Sequence, residues 1–166
     1  MGNLALQPVE AKRQNIKNRY LESLTLIERL HRRLLDVIKD DFERTGEKEV
    51  NPVQALLLFN ISDAELTAGE LKTRGHYQGS NVSYNLKKLV EAGYVNHERS
   101  TNDKRSVRIS LTDKGQEVRR RVDALYNRQL QAVEEVVGLS VDEFERINKA
   151  LTRLERYWTD QILYRL

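Results

Sequence analysis

Tyr20, Leu24, Ile27, His31, Leu34, Ile38 and Phe42 recur at steps of three and four. One apolar stripe over so many turns predicts a long amphipathic helix from about Val9 to Arg44, with Gly46 as its stop. Asn51 before Pro52 predicts an N-cap and a first turn. The helix they open carries Val53, Leu56, Leu57, Leu58 and Ile61, apolar on most sides, and is expected deep in the core. In residues 65–75, Thr67 with Glu70 has the spacing of a capping box, and Leu66 with Leu71 that of a hydrophobic staple. A short helix ending near Gly75 follows from that. A second helix is predicted over residues 79–93, with Val82, Leu86, Leu89 and Val90 inward and Gly93 at its end.

The period then changes from helical to alternating. Val107, Ile109 and Leu111 alternate with Ser106, Arg108 and Ser110, the pattern of a half-buried strand. Residues 94–99 are its expected partner and residues 100–105 the polar turn between them. Two short helices followed by a two-stranded hairpin make a winged helix-turn-helix. Beyond it, a helix from about Thr112 to Val137 turns Val118, Val122, Leu125 and Val133 inward. A last helix begins at Ser140, where Ser140 and Glu143 form a capping box and Leu139 and Phe144 a staple. Its stripe of Phe144, Ile147, Leu151, Leu154 and Trp158 has the seam spacing of a helix that packs along another helix. The expected fold is mainly α, with an N-terminal helix in residues 1–50, a winged helix-turn-helix lobe in 51–112 and C-terminal helices in 113–166.

Composition narrows the function. The chain has 166 residues, enough for one domain with extra helices. No apolar run approaches the roughly 20 residues that span a bilayer, and the first residues lack the pattern of a signal peptide. A cytoplasmic protein without membrane contact is expected. The absence of cysteine excludes disulfides, thiol nucleophiles and zinc–thiolate sites. His31, His76 and His97 are far apart and never at ligand spacing, so no metal and no cofactor are expected. Charge is unevenly placed. Residues 72–108 hold eight basic side chains against Glu91, Glu98 and Asp103, a net of +5 where the whole chain has +3. A basic centre with mildly acidic flanks suits an anionic partner, of which nucleic acid is the common one.

The second short helix presents Ser80, Asn81, Ser83, Tyr84, Asn85, Lys87 and Lys88 outward. Short hydrogen-bonding side chains come first and lysines after, which suits a helix whose first turns reach base edges in the major groove. The start of this helix also offers free N–H groups to a phosphate, and Thr67, at the head of the preceding helix, joins the set. At the hairpin tip, Asp103, Lys104, Arg105 and Arg108 lie on or beside the turn. An arginine there can enter the minor groove, where negative potential is strongest. Asp103 can hold Arg105 by a charge-assisted bond. The competing reading is a solvated polar surface and turn.

Residues 103–115, DKRSVRISLTDKG, resemble the wing-and-exit signature of the MarR family. Residues 66–95 are similar to that family's DNA-binding helices and first wing strand, and the flanking helices match its dimerisation elements in order and length. The resemblance implies a homodimeric bacterial transcription regulator, with repression as the expected mode. It places the family's aspartate–any–arginine wing pattern on Asp103 and Arg105, and the recognition contacts on Ser80, Asn81, Ser83, Tyr84 and Lys87. Many relatives carry arginine where Tyr84 stands, so their base preference does not transfer. Within the family the resemblance extends to alphaproteobacterial regulators of the LdtR kind, which act on cell-wall remodelling genes.

A dimer seam is expected from Tyr20, Phe144, Ile147, Leu151, Leu154 and Trp158, which would set two recognition helices roughly 34–36 Å apart. Without thiols or metal ligands, the remaining signal is a small aromatic or carboxylate effector. Its candidate wall is His31, Leu34, Leu57 and Phe59, residues equally well explained as plain core; His31 is expected in the core or the interface. Enzyme chemistry finds no support: there is no phosphate loop, no serine elbow and no H-E-x-x-H. The alternative kept open is a winged-helix adaptor that binds protein instead of DNA.

Overall fold

A computed structural model describes residues 6–61, 66–67, 80–99 and 107–164. The described elements are α1 (Leu6–Thr45), α2 (Pro52–Ile61), β1 (Leu66–Thr67), α3 (Ser80–Glu91), β2 (Val95–Arg99), β3 (Val107–Leu111), α4 (Asp113–Ala132), a π-helical turn (Val133–Val137) and α5 (Val141–Tyr164). The chain divides into two compact units, Met1–Val122 and Asp123–Leu166.

In the first unit the stripe of α1 is graded. Tyr20 is exposed and Leu24, Ile27 and Leu34 are half-buried, while Ile38 and Phe42 are buried where α1 meets α2. His31 is exposed, so of the core or interface place expected for it the core is ruled out. The helix stops at Gly46, whose φ of 79° lets the Glu47 N–H reach the Phe42 carbonyl at 2.9 Å. Asn51 caps α2 reciprocally with Gln54: the Gln54 N–H donates to Asn51 Oδ1 at 2.9 Å, and the Asn51 N–H to Gln54 Oε1 at 3.1 Å. Ala55, Leu57, Leu58 and Ile61 of α2 are buried. Val53, expected inside with them, is 42% exposed, because it stands in the first turn on the outer side.

The sheet has three strands in the order β1–β3–β2, all antiparallel. The hairpin expected from residues 94–112 is present, with Val95 opposite Leu111 and Arg99 opposite Val107. The third strand was not expected. Leu66 and Thr67 pair with Ile109 and Arg108, so Thr67 is a strand residue. The rest of its predicted capping box and helix lies outside the described residues. The α3 helix runs as expected and closes in a Schellman motif: Gly93 has φ 78°, with bonds from Gly93 N to Val90 O and from Tyr94 N to Leu89 O. Val82, Leu89, Tyr94, Val95, Ile109, Val118 and Val122 join the α1–α2 residues in the core.

In the second unit the helix predicted to reach Val137 does so only through a π-helical turn, ended by Gly138 at φ 70°. Val136 and Val137 are consequently exposed, at 81% and 60%. The capping box of α5 is formed in full. The Ser140 N–H donates to Glu143 Oε2 at 2.8 Å, and the Glu143 N–H to Ser140 Oγ at 3.3 Å. Leu139 and Phe144, the expected staple, line one shallow apolar hollow of about 570 Å³ with Leu130, Val133 and Val141. No residue of α5 is buried within the chain.

Candidate nucleic-acid interface

Helix α3 sorts its side chains by face. Val82 and Leu89 are buried and Leu86 and Val90 half-buried, which pins one side to the core. On the other side Ser83, Tyr84, Lys87 and Lys88 are exposed. Tyr84, Lys87, Lys88 and Glu91 stand at i, i+3, i+4 and i+7, one continuous stripe. Both lysines lean on Glu91, with Lys87 Nζ at 3.8 Å and Lys88 Nζ at 3.4 Å from its carboxylate. These are exposed pairs of little strength, easily exchanged for another anion. Lys88 Nζ also lies 5.8 Å from the centre of the Tyr84 ring. Asn85 is half-buried, so it is less outward than its neighbours. Ser80 and Asn81 occupy the first turn of α3.

Arg108 is exposed on β3, between Thr67 on one neighbouring strand and Glu98 on the other. Thus the sheet gathers Thr67 and Arg108 at one register position. Asp103, Lys104 and Arg105 lie outside the described residues, as does His76. His97 is exposed on β2. Among the described residues no group of three His, Asp or Glu side chains is placed to hold a metal ion, and no helix is long and apolar enough to cross a membrane. Of the residues expected to line an effector site, Leu57 is 2% exposed, Leu34 and Phe59 are half-buried and His31 is exposed.

Sequence reasoning missed the clasp that fixes α3 and the sheet to the start of α4. Glu49, in the loop before α2, accepts a hydrogen bond from Tyr94 Oη at 2.8 Å and another from Lys114 Nζ at 2.7 Å. The Lys114 ammonium also sits 4.2 Å from the centre of the Tyr94 ring. The Lys114 and Tyr94 hydrogen bonds hold the Glu49 carboxyl below its ordinary range. The bond to Glu49 raises Lys114, and burial raises the Tyr94 hydroxyl. Beside it, Thr112 Oγ1 donates to the Gly93 carbonyl at 2.7 Å and accepts the Gly115 N–H at 3.1 Å, so it caps α4 and grips the end of α3 together. Gly115 is required there: a Cβ at that position would stand 2.1 Å from the Tyr94 carbonyl oxygen. Arg121 adds a second link, bonding Glu47 at 3.2 Å. The signal was present in the run T-D-K-G, whose threonine, lysine and glycine each hold the joint. Their partners lie far away in sequence.

A helix with one buried and one polar, cationic face, set against a small antiparallel sheet, defines a winged helix, and residues 50–115 match the family described as winged helix DNA-binding domain. The MarR resemblance of the wing extends to the fold of the chain. It is similar to a cysteine-to-serine mutant of MarR from E. coli complexed with operator DNA, with a TM-score of 0.65 at 22% identity over 82% of this chain and 96% of that one. It is likewise similar to FabT of Streptococcus pneumoniae in complex with DNA, with a TM-score of 0.62 at 23% identity over 89% and 98% of the two chains. In sequence it is 41% identical over 99 residues to the exopolysaccharide II synthesis transcriptional activator ExpG of Rhizobium meliloti. That alignment takes in 60% of this chain and 51% of ExpG, so the chain spans about half the length of that relative.

Proposed function

We propose that the protein is a transcription regulator that binds an inverted-repeat operator in duplex DNA as a homodimer. The observation that carries this reading is the exposed stripe of Ser83, Tyr84, Lys87 and Lys88 on a helix whose other face is buried. It is supported by solved relatives of the same fold complexed with DNA. In this reading α3 enters the major groove, with Ser80, Asn81, Ser83, Tyr84, Asn85, Lys87 and Lys88 toward bases and phosphates and Thr67 toward the backbone. Asp103, Lys104, Arg105 and Arg108 form the wing contact to the minor groove.

Dimerisation follows from the unburied apolar stripe of α5. Phe144, Ile147, Leu151 and Trp158 are 37–44% exposed and in line, and α1 adds Tyr20 on its own exposed half. A contiguous apolar patch of this kind marks an interface. Residues 1–50 and 113–166 then serve as the frame and residues 51–112 as the DNA-binding lobe, in a cytoplasmic protein. The named relative is an activator, and the same DNA contacts serve activation or repression according to where the operator lies relative to the promoter. Genes for cell-wall remodelling or exopolysaccharide are the targets to examine first. A small aromatic or carboxylate effector, held near His31, Leu34, Leu57 and Phe59, would tune affinity by preferring one spacing of the two recognition helices. A gel-shift titration against the upstream DNA of its own operon tests the reading. Specific retention of one duplex supports it, and equal binding to every duplex removes it in favour of the adaptor.

A further inference from the structure

We infer that Tyr84 reads a thymine, through contact of its ring with the C5-methyl group, and so sets one T·A pair in each half-site. The inference rests on the DNA-binding reading above and goes beyond it by naming the base. Tyr84 is 61% exposed, on the outward stripe of α3 one turn in from its start. It is the one large apolar side chain exposed along that helix among its described residues; the others, Val82, Leu86, Leu89 and Val90, are buried or half-buried toward the core. A stripe meant only for phosphate would have no use for an aromatic ring. Lys87 and Lys88 already supply the cationic contacts, and Lys88 Nζ lies 5.8 Å from the ring centre. The ammonium stands over one face of the ring and pairs with Glu91, so a cation for the phosphate and an apolar edge for the groove floor lie side by side on the stripe. In the major groove thymine alone presents a methyl group, and apolar contact with it is how that base is told from the others. The phenol oxygen offers a rival role, a single hydrogen bond to a phosphate, which would carry no sequence information.

The test separates ring from hydroxyl and both from the parent reading. Duplexes are enriched from a random pool by the wild-type protein, and each thymine of the enriched half-site is replaced in turn by deoxyuridine, which lacks only the methyl. Wild type should lose about four-fold in affinity at one position of one half-site, and about sixteen-fold when both half-sites are changed, the weight of one buried methyl each. Tyr84→Phe should show the same sensitivity. Tyr84→Ala should bind both duplexes alike, with an unchanged melting curve because the side chain is exposed. If no deoxyuridine substitution matters to the wild type, or if Tyr84→Phe weakens every duplex equally, thymine reading by Tyr84 is overturned while DNA binding stands. If the pool yields no enriched sequence, the regulator reading falls and takes this inference with it.

Discussion

A single methyl group at position 115 has nowhere to go. It would lie 2.1 Å from a main-chain oxygen at the end of α3, and neither strand nor helix can shift without opening the Thr112 and Glu49 bonds. Gly115→Ala should therefore destabilise the first unit by about 1–3 kcal/mol, read as a lower midpoint in urea. The Glu49 carboxyl makes a different kind of contribution. Its acidity is enhanced in the folded state by Lys114 and Tyr94, so whatever it adds is present above the ordinary carboxylate range and is lost as the pH falls through and below about 4. Wild type should unfold more readily on acidification than at neutral pH. The gap between it and Glu49→Gln should close in acid, which thermal melts at several pH values check. At the wing, Arg105→Ala should weaken operator binding by about 1–3 kcal/mol without changing the oligomer, as read by titration and sedimentation; unchanged affinity would take the wing out of the interface. These residues differ in how legible they are. Gly115 is within reach of a sequence pattern, in the local run T-D-K-G. Glu49 is not, because its partners lie 45 and 65 residues away and nothing in a period of two or four points to them.

Among the elements, those built on long periodic runs are legible: α1, α3, β3 and α5 each sit where the apolar spacing puts them, and the Ser140–Glu143 cap forms as the four-residue pattern requires. Two features are not. A strand of two residues, Leu66–Thr67, is too short to alternate, and only its pairing with Ile109 and Arg108 reveals it. The π-helical turn at Val133–Val137 adds a residue to a turn without any proline or glycine inside it to mark the place. The apolar stripe of α5 is legible as a stripe, and none of its residues is fully buried among the described residues; the proposed dimer would cover it. Leu151→Asp or Leu154→Asp should put a charge in an apolar seam and leave monomers or aggregates in sedimentation. An intact dimer would assign α5 another role.

For the whole molecule, the proposed function depends on geometry shared between two copies. A dimer that holds two α3 helices roughly one DNA turn apart, about 34–36 Å, binds an inverted repeat far more tightly than either half alone. The clasp of Glu49, Tyr94 and Lys114 ties α3 to the loop that follows α1 and to the start of α4. An effector that stabilises a different spacing should raise the melting temperature and lower operator affinity, and the operator should weaken effector binding by the same factor. A thermal-shift screen of phenols and carboxylates followed by gel shift tests this, and compounds that stabilise the protein without touching DNA binding would leave a ligand-independent regulator. Equilibrium binding, by fluorescence anisotropy at about 150 mM salt, is to be measured on an enriched inverted repeat, on the same duplex with one half-site scrambled and on a fully scrambled duplex. The account predicts one dimer per intact repeat and an affinity about a thousand-fold or more above that for fully scrambled DNA, with most of it lost when a single half-site is destroyed. Equal affinity for all three duplexes would contradict it.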